Sequence, residues 1–235
     1  MVVPPRTSRL LAELPSANRR LLATAARLTD ADVLRPSLLP RWTLGHVLSH
    51  VARNADALVN LCDWALTGVR KPMYVSVEAR ESDIEAGAAR PIAVQLQDIQ
   101  AAEARLLERF EDLPAEAWAA EVTWPSGTTR TADQIVAARL NELEVHHVDL
   151  GLGYTFDDVP AGSREALLTY VTTRWPDDFN AVLRSSDSTW SSPERPAGAR
   201  IITGDTAALL GWALGRTDGS TLTLEGTLPE PPPWG

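Results

Sequence analysis

Residues 137–152, AARLNELEVHHVDLGL, combine charged and imidazole side chains within a run of helical pattern. Glu142 and His146 lie four residues apart, so on a helix they lie one turn apart on the same face. A carboxylate and an imidazole on one face can bind one divalent cation between them. The spacing alone is a weak signal, because residues on the surface of an acidic helix show it as well.

The histidines of the chain offer the third ligand that this pair needs. All four lie in two clusters, His46 with His50 and His146 with His147. His50 borders an apolar stripe on a second predicted helix, and a polar side chain beside a core needs a partner. We therefore predict that His50, Glu142 and His146 form a three-ligand metal site inside a helical bundle. Three protein ligands leave at least one position on the metal open.

His46 and His147 are the competing ligands. His147 follows Leu143 by four residues and so faces the apolar stripe, which favours a role in the core or at the helix end. His46 lies one turn before His50 on the same side, and it stays open as a ligand or as a group that supports one. We prefer His50 because it lies deeper in its helix.

Arg139 and Asp149 accompany the pair on the same helix. With Glu142 and His146 they form a polar stripe that runs beside an apolar one. Metal ligands are commonly oriented by hydrogen bonds from groups outside the ligand set. We interpret Arg139 and Asp149 as such orienting groups.

Arg80 and Arg216 are isolated cations in predicted loops. Arg80 lies among acidic residues in the connection 69–89, of which only residues 82–89 are expected to be helical. Its pattern favours a solvated ion pair over a guanidinium that binds a carboxylate substrate. Arg216 lies in a tight loop after a helix, where a turn charge is the simplest interpretation. The residue pattern alone assigns neither arginine to a site.

Composition excludes several other classes of function. The chain has 235 residues and a net charge of −9, which argues against nucleic acid or an anionic membrane as its main partner. The sequence lacks an apolar run that could span a membrane, and its N-terminus lacks the core of a signal peptide. Cys62 is the only cysteine, which excludes an intrachain disulfide and a Cys-rich zinc cage, and predicts a cytoplasmic protein. Phosphate-loop, Gly-x-Ser-x-Gly and Cys-x-x-Cys motifs are absent from the sequence.

The elements that must position these side chains are mostly helices. Apolar periodicity predicts a first helix over residues 8–28, with a kink or a break at Pro15. A second helix begins after a Thr43 cap, ends near Gly68 and carries His50.

Two further helices complete the first part of the chain. The third begins at Pro91, a favourable residue for a first turn. A small hairpin is predicted to pair residues 122–124 with residues 128–130. The fourth helix, capped by Thr131 or Asp133, carries the carboxylate and imidazole motif.

The predicted fold class is α+β in two domains. Four helices with one long connection predict a four-helix bundle over residues 1–153, and bundle interiors often hold metal ligands from facing helices. Residues 154–235 are predicted to form a small α+β domain. Its predicted elements are helices at 163–175 and 205–214 and strands at 181–184, 199–203 and 221–225.

Three stretches of the chain resemble a known family in their order and spacing: RWTLGHVLSHVARNADALVNLCDWALTG, YVSVEARESDIEAGAAR and ARLNELEVHHVDLGLGY. They are similar to the mycothiol-dependent maleylpyruvate isomerase family, which belongs to the DinB-like group of metal-binding four-helix bundles. The stretch TGDTAALLGWALGRTDGSTL resembles the C-terminal α+β domain of that family, which has a sterol-carrier-like topology. The resemblance covers nearly the whole chain.

The resemblance implies zinc as the metal, with His50, Glu142 and His146 as its ligands, and mycothiol as a thiol cosubstrate. Nickel, iron or cobalt could occupy the same ligands. The resemblance also implies that Arg80 and Arg216 lie in the catalytic cleft, which reverses the preference from pattern alone. We expect a monomer whose partners are a small electrophile and a low-molecular-weight thiol, with no nucleic acid and no membrane.

The implied reaction is a cis–trans isomerisation. A thiolate adds to the cis double bond of maleylpyruvate, the resulting single bond rotates, and the thiolate departs to leave fumarylpyruvate. Arg80 and Arg216 would hold the substrate carboxylates and stabilise the enolate. Two alternatives stay open: a mycothiol S-transferase that forms a stable conjugate, and a metal-stabilised binding module without turnover.

Overall fold

The computed structural model describes residues 3–194 and 198–233, and the chain divides into two compact units, Met1–Gly153 and Tyr154–Gly235. The described helices are α1 (Pro5–Ala25), α2 (Leu44–Thr67), α3 (Val77–Ala88), α4 (Ile92–Asp112), α5 (Gln134–Asp149), α6 (Ala161–Thr172) and α7 (Thr206–Ala213). The described strands are β1 (Glu121–Thr123), β2 (Thr129–Thr131), β3 (Ala181–Arg184), β4 (Thr189–Ser191) and β5 (Arg200–Thr203). The predicted α+β class is confirmed.

The first unit is a bundle built on the four long helices α1, α2, α4 and α5. Helix α2 packs against α4 and α5, and α1 packs against α5. Fully buried aliphatic side chains fill the interior, and each contributes about 1.5–3 kcal/mol through burial. The largest of them are Leu14, Leu21, Leu44, Leu48, Leu58, Leu61, Ile99, Leu106, Ile135 and Leu140.

A buried ion pair joins three of these helices. Arg139 on α5 is fully buried, and its Nε and Nη2 atoms lie 2.8 and 2.7 Å from Oε2 of Glu103 on α4. Nη1 of Arg139 donates to the Val51 carbonyl and to Oδ1 of Asn54 on α2, over 2.9 and 3.0 Å. Because a buried charge is costly without partners, these bonds make α2, α4 and α5 depend on one another.

Helix α1 differs from its prediction. It begins at Pro5 and continues through Pro15 as one helix, so the break, one of the two alternatives predicted at Pro15, is absent. Proline inside a helix removes one backbone hydrogen bond. The burial of Leu14 and Leu21 on either side of Pro15 offsets that loss, because both side chains are completely enclosed by the bundle.

Helix α3 begins at Val77, whereas the sequence predicted a helix only from residue 82. Arg80 therefore lies on a helix and not in a loop. Ser76 provides the reason, since its side chain accepts a hydrogen bond from the N–H of Ala79 and caps the first turn. The helix has little amphipathic pattern, because most of its side chains are exposed and only Ile84, Gly87 and Ala88 are buried. Periodicity therefore could not reveal it.

Close packing of two glycines fixes α3 against α2. A Cβ atom added to Gly45 would lie 1.9 Å from the carbonyl oxygen of Ala88, and one added to Gly87 would lie 2.1 Å from Oγ of Ser49. Only glycine leaves room for such an approach. The C-terminal end of α3 is thus held directly on the surface of α2.

The remaining connections of the first unit agree with the prediction in outline. Strands β1 and β2 pair as an antiparallel hairpin with Val122 opposite Arg130.

In the ranges that the structure covers, none of the helices combines the length and apolar character needed to cross a membrane.

The second unit contains a three-stranded sheet in the order β4-β3-β5, in which β3 runs antiparallel to β4 and parallel to β5. Helices α6 and α7 pack against each other. Trp175, Phe179 and Trp212 form an aromatic cluster with ring centroids 4.8–6.5 Å apart. The strand predicted at 221–225 is wrong: Thr223 forms only an isolated bridge with Thr203, between glycines at positive φ, and β4 completes the sheet.

Replacing Glu103 by Ala removes the carboxylate partner of a fully buried guanidinium. We expect the free energy of unfolding to fall by about 3–5 kcal/mol, measured by urea denaturation. Glu108→Ala changes an exposed residue of the same helix and should alter stability by less than about 0.5 kcal/mol. Equal losses in the two variants would contradict a stabilising role for the ion pair.

Candidate metal centre

Three side chains from two helices converge inside the first unit. His50 comes from α2, and Glu142 and His146 come from α5. Nε2 of His50 lies 2.9 Å from Oε2 of Glu142, and Nε2 of His146 lies 3.2 Å from the same oxygen. One donor atom from each residue lies within 4.8 Å of the other two. The structure thus brings together the three residues that the sequence singled out.

Local capping fixes the position of His50 along α2. The helix begins after Thr43, whose hydroxyl accepts the N–H of His46, while Nδ1 of His46 accepts the N–H of Thr43. This reciprocal pair sets the start of the helix, and Gly68, at φ 71°, ends it. His50 follows one turn after His46 and is buried against α5.

The two competing histidines have other partners. Nε2 of His46 lies 2.9 Å from Oε2 of Glu85, so it joins α2 to α3. Nε2 of His147 lies 2.7 Å from the hydroxyl of Thr24, so it joins α5 to α1. Both contacts match structural roles in the bundle.

Burial and hydrogen bonding distribute the charge within the cluster. Burial lowers the pKa of His50 to about 4, and its hydrogen bond to Glu142 offsets this only in part. Burial alone would raise the pKa of Glu142, but hydrogen bonds from His146 and His50 hold it well below its usual range. Burial would lower the pKa of His146, but hydrogen bonds to Asp149 and Glu142 raise it above its usual value. At neutral pH the cluster therefore combines a carboxylate with a neutral His50.

Asp149 supports His146 from behind. Its Oδ2 atom lies 2.9 Å from Nδ1 of His146, and Asp149 is fully buried. Because an ionised carboxylate can only accept, Nδ1 of His146 carries a proton and Nε2 is directed toward Glu142. A carboxylate behind a histidine in this way is common at metal sites. Arg139, predicted for the same role, directs its hydrogen bonds to Glu103, Val51 and Asn54 instead.

Arg80 reaches the cluster from α3. Its Nη2 atom lies 3.4 Å from Nδ1 of His50. Because a guanidinium can only donate, this contact requires Nδ1 of His50 to accept, which agrees with a neutral imidazole whose proton lies on Nε2. Arg80 thus places a permanent positive charge beside the imidazole of His50.

Two aromatic side chains that the sequence did not indicate border the cluster. The ring centroid of Trp42 lies 5.4 Å from that of His50. The guanidinium of Arg80 lies over the ring of Tyr74, 5.6 Å from its centroid. Trp42 precedes a helix cap and Tyr74 lies between helices, so neither has a periodic pattern that would mark it.

Arg216 lies in the second unit, in the loop after α7. Its Nη1 atom donates to the carbonyl of Leu214 over 2.9 Å, and its backbone N–H donates to the carbonyl of Gly211. These contacts close the end of the helix. A role for Arg216 in the site stays a prediction.

The donor set fits a divalent cation. Two imidazole nitrogens and one carboxylate oxygen are the ligands that zinc and its first-row neighbours bind with open positions. The donors are pre-assembled in a buried place, with Asp149 already orienting one of them. A cation there would neutralise the carboxylate that two imidazoles now share.

Comparisons with known proteins place this site in context. The sequence model described as "Mycothiol maleylpyruvate isomerase N-terminal domain" matches residues 14–151, more than half of the chain. Two solved structures each match with 29% sequence identity and a TM-score of 0.84, covering 97% of this chain and 97% of theirs. They are described as the mycothiol-dependent maleylpyruvate isomerase and a histidine-to-alanine mutant of it. No curated protein sequence gives a significant match.

Removing one donor tests the metal site. We expect His50→Ala to weaken Zn²⁺ binding at least about a hundredfold, because only two donors remain to hold the ion. Competition with a chromophoric chelator measures the affinity. His46→Ala and His147→Ala are matched controls that should keep Zn²⁺ affinity near that of the unaltered protein. A loss in His46→Ala as large as in His50→Ala would contradict the assignment.

The pKa directions predict how Zn²⁺ affinity depends on pH. Zn²⁺ must displace the proton that His146 holds below its raised pKa, whereas above about pH 5 His50 is already neutral and Glu142 already ionised, so neither releases a net proton. Affinity should therefore fall about tenfold per pH unit below the pKa of His146 and level off above it. Chelator competition between about pH 5 and about pH 8 measures the slope. A slope of about two protons per ion would contradict the neutral state of His50.

Proposed function

The chain belongs to the mycothiol maleylpyruvate isomerase N-terminal domain family, and we propose that it is a metal-dependent, mycothiol-dependent isomerase. Its proposed substrate is maleylpyruvate or a similar unsaturated keto acid. The observation that carries the proposal is the convergence of His50, Glu142 and His146, with the guanidinium of Arg80 beside them. A metal site with a purely structural role would gain nothing from a cation next to its ligands, because the two positive charges repel each other.

The protein cannot readily supply the nucleophile itself. Cys62 is its only thiol, and it is completely buried in α2. Burial raises the pKa of Cys62 to about 12, so at neutral pH it stays a thiol with almost no nucleophilic thiolate. This supports a thiol cosubstrate, and a bound divalent cation would supply the positive charge that keeps such a thiol deprotonated.

The proposed chemistry returns the thiol unchanged. A C–S bond forms at one carbon of the cis double bond, and the displaced electron pair moves onto the keto oxygen as an enolate. The former double bond rotates, the enolate collapses, and the C–S bond breaks to give the trans isomer. No net proton is consumed, so the residues need only bind the acid and stabilise the enolate.

Arg80 is suited to both of these tasks. Its guanidinium is permanently charged and can donate two parallel hydrogen bonds to a carboxylate or an enolate oxygen. Its contact with Nδ1 of His50 is long, at 3.4 Å, so an anionic oxygen would be a better acceptor. We assign Arg216 the second carboxylate, on the strength of the family resemblance.

Turnover with and without added mycothiol tests the proposal. We expect isomerisation of maleylpyruvate only when mycothiol is present, with the thiol recovered in full, as followed by chromatography of products and thiol titration. A conjugate with thiol consumed would instead identify an S-transferase. Activity that is indifferent to thiol, or absent with it, would contradict the proposal.

Removing the guanidinium of Arg80 tests its assigned role. Arg80→Ala should lower kcat/KM by about a hundredfold or more, because the charge that stabilises the enolate is lost. Zn²⁺ affinity should not fall, since Arg80 is a cation and contributes no ligand. Arg19→Ala, an exposed residue of α1, is the control and should leave kcat/KM unchanged.

A further inference from the structure

The indole of Trp42 packs beside two histidines near the start of α2. Its ring centroid lies 5.4 Å from that of His50, with the two planes inclined at 57°, and 6.3 Å from that of His46, with the planes inclined at 24°. Centroid distances in this range are those of aromatic rings in contact. An aromatic side chain therefore lies directly beside one of the three clustered donors.

Residues 35–43, which we name the Trp42 loop, hold this side chain in place. The N–H and hydroxyl groups of Ser37 both donate to the carbonyl of Trp42, over 2.9 and 2.8 Å. The N–H of Leu44 donates to the carbonyl of Arg35 over 2.9 Å, which joins the loop to the first turn of α2. Local hydrogen bonds thus determine where the backbone of Trp42 lies.

The Trp42 loop also contacts the end of α5. The N–H of Leu38 donates to the carbonyl of Asp149 over 2.9 Å, and a Cβ atom added to Gly151 would lie 3.1 Å from the Leu38 side chain. Asp149 is the residue whose carboxylate lies 2.9 Å from Nδ1 of His146. One loop therefore places its indole against His50 and its backbone against the residue that supports His146.

Arg41, which precedes Trp42, has an unusual backbone conformation. Its φ is 67°, and among the residues that the structure describes it is the one non-glycine residue at positive φ. Such a conformation costs energy for a residue with a Cβ atom. Because Arg41 is exposed, no buried contact of its own side chain requires this cost. The turn that directs Trp42 toward His50 does require it.

A bound cation would leave the contact with Trp42 in place. The imidazole of His50 has two polar contacts, from Nε2 to Glu142 at 2.9 Å and from Nδ1 to Arg80 at 3.4 Å. A nitrogen that binds a cation cannot also donate a hydrogen bond to Glu142, so the ion replaces the first contact. The second is long for a hydrogen bond. Packing against an indole depends on neither.

We propose that Trp42 is a positioning residue that orients the imidazole of His50 for the divalent cation. This inference rests on the proposed function, because it concerns the same metal-binding cluster. Groups outside the ligand set commonly orient the ligands, and their loss weakens metal binding about ten- to a hundredfold. Trp42 acts by ring packing, and the Trp42 loop ties that packing to the end of α5.

Replacing Trp42 tests the contact with His50. We expect Trp42→Ala to bind Zn²⁺ about tenfold more weakly in competition with a chromophoric chelator, because the imidazole gains freedom to turn. Trp42→Phe keeps an aromatic ring at this place and should restore most of the affinity. Trp64→Ala, which removes another half-buried indole from α2, is the matched control and should bind Zn²⁺ like the unaltered protein.

The visible absorption of bound Co²⁺ separates orientation from a general loss of stability, because it reports coordination geometry. We expect the Co²⁺ bands of Trp42→Ala to differ in position or intensity from those of the unaltered protein. The bands of Trp42→Phe and Trp64→Ala should not differ. A loss of Zn²⁺ affinity in Trp42→Ala with unchanged Co²⁺ bands would contradict the proposal.

Two replacements of Arg41 test the loop while the indole stays in the chain. Both remove the same charge. Glycine adopts a positive φ freely, so Arg41→Gly should keep the Zn²⁺ affinity of the unaltered protein. Proline fixes φ near −65°, so Arg41→Pro should turn Trp42 away from His50 and weaken Zn²⁺ binding about as much as Trp42→Ala does. This pair decides the question even if Trp42→Ala fails to fold.

Three further results would overturn the proposal: Zn²⁺ affinity of Trp42→Ala equal to that of the unaltered protein, an equal loss in Trp64→Ala, or equal affinities of Arg41→Gly and Arg41→Pro. Failure of the unaltered protein to bind Zn²⁺ would overturn it as well. The proposed isomerase activity is judged separately, on turnover of maleylpyruvate by the unaltered protein. Zn²⁺ binding that depends on Trp42 in a protein without that activity would keep this inference and reject that function.

Discussion

The carboxylate of Glu142 is the group on which the arrangement of the first unit depends. It lies between two helices, with one oxygen shared by the imidazoles of His50 and His146. A carboxylate largely withdrawn from water, as the Glu142 side chain is at 21% exposure, is unfavourable unless cationic or hydrogen-bonding partners compensate it. The two imidazoles provide that compensation from opposite helices, so α2 and α5 must stay in register for the cluster to exist. The same requirement makes the place attractive to a divalent cation.

Helix α3, which places Arg80 beside this cluster, is held in place by different interactions from those of the bundle helices. The ligands lie on long helices with buried apolar faces, whereas Arg80 lies on the short, largely exposed α3. Helix α3 is held by the Ser76 cap and by the approach of Gly45 and Gly87 to neighbouring backbone and side chain. Helix α3 buries only Ile84, Gly87 and Ala88, so it gains less from apolar burial than the bundle helices do. Arg80 is thus held beside the cluster by a helix cap and close backbone packing rather than by an apolar helix face.

The sequence indicated the cluster of His50, Glu142 and His146 because two patterns coincided there. Histidine is rare in the chain, and His50, Glu142 and His146 all border apolar stripes whose helical period is clear. It could not reveal α3, whose exposed side chains lack a period, so Arg80 was predicted in a loop. Trp42 and Tyr74 were missed for a related reason: their contacts with His50 and Arg80 are tertiary. The sheet of the second unit was only half predictable, because β4 is three residues long and the glycine-flanked segment at Thr223 resembles a strand.

Arg139 joins helices of the bundle and does not bond the predicted ligands that it was expected to orient. Its place on the polar stripe of α5 suggested a contact with the ligands, but its side chain extends to Glu103 on α4 and to Asn54 on α2. Because Arg139 can only donate, it holds Oδ1 of Asn54 as an acceptor and so fixes the orientation of that amide. The same guanidinium donates to the carbonyl of Val51, the residue that follows His50 on α2. Loss of Arg139 or Glu103 would therefore disturb the part of α2 that carries His50, which is why the interior of this bundle and its cluster cannot be treated as separate parts.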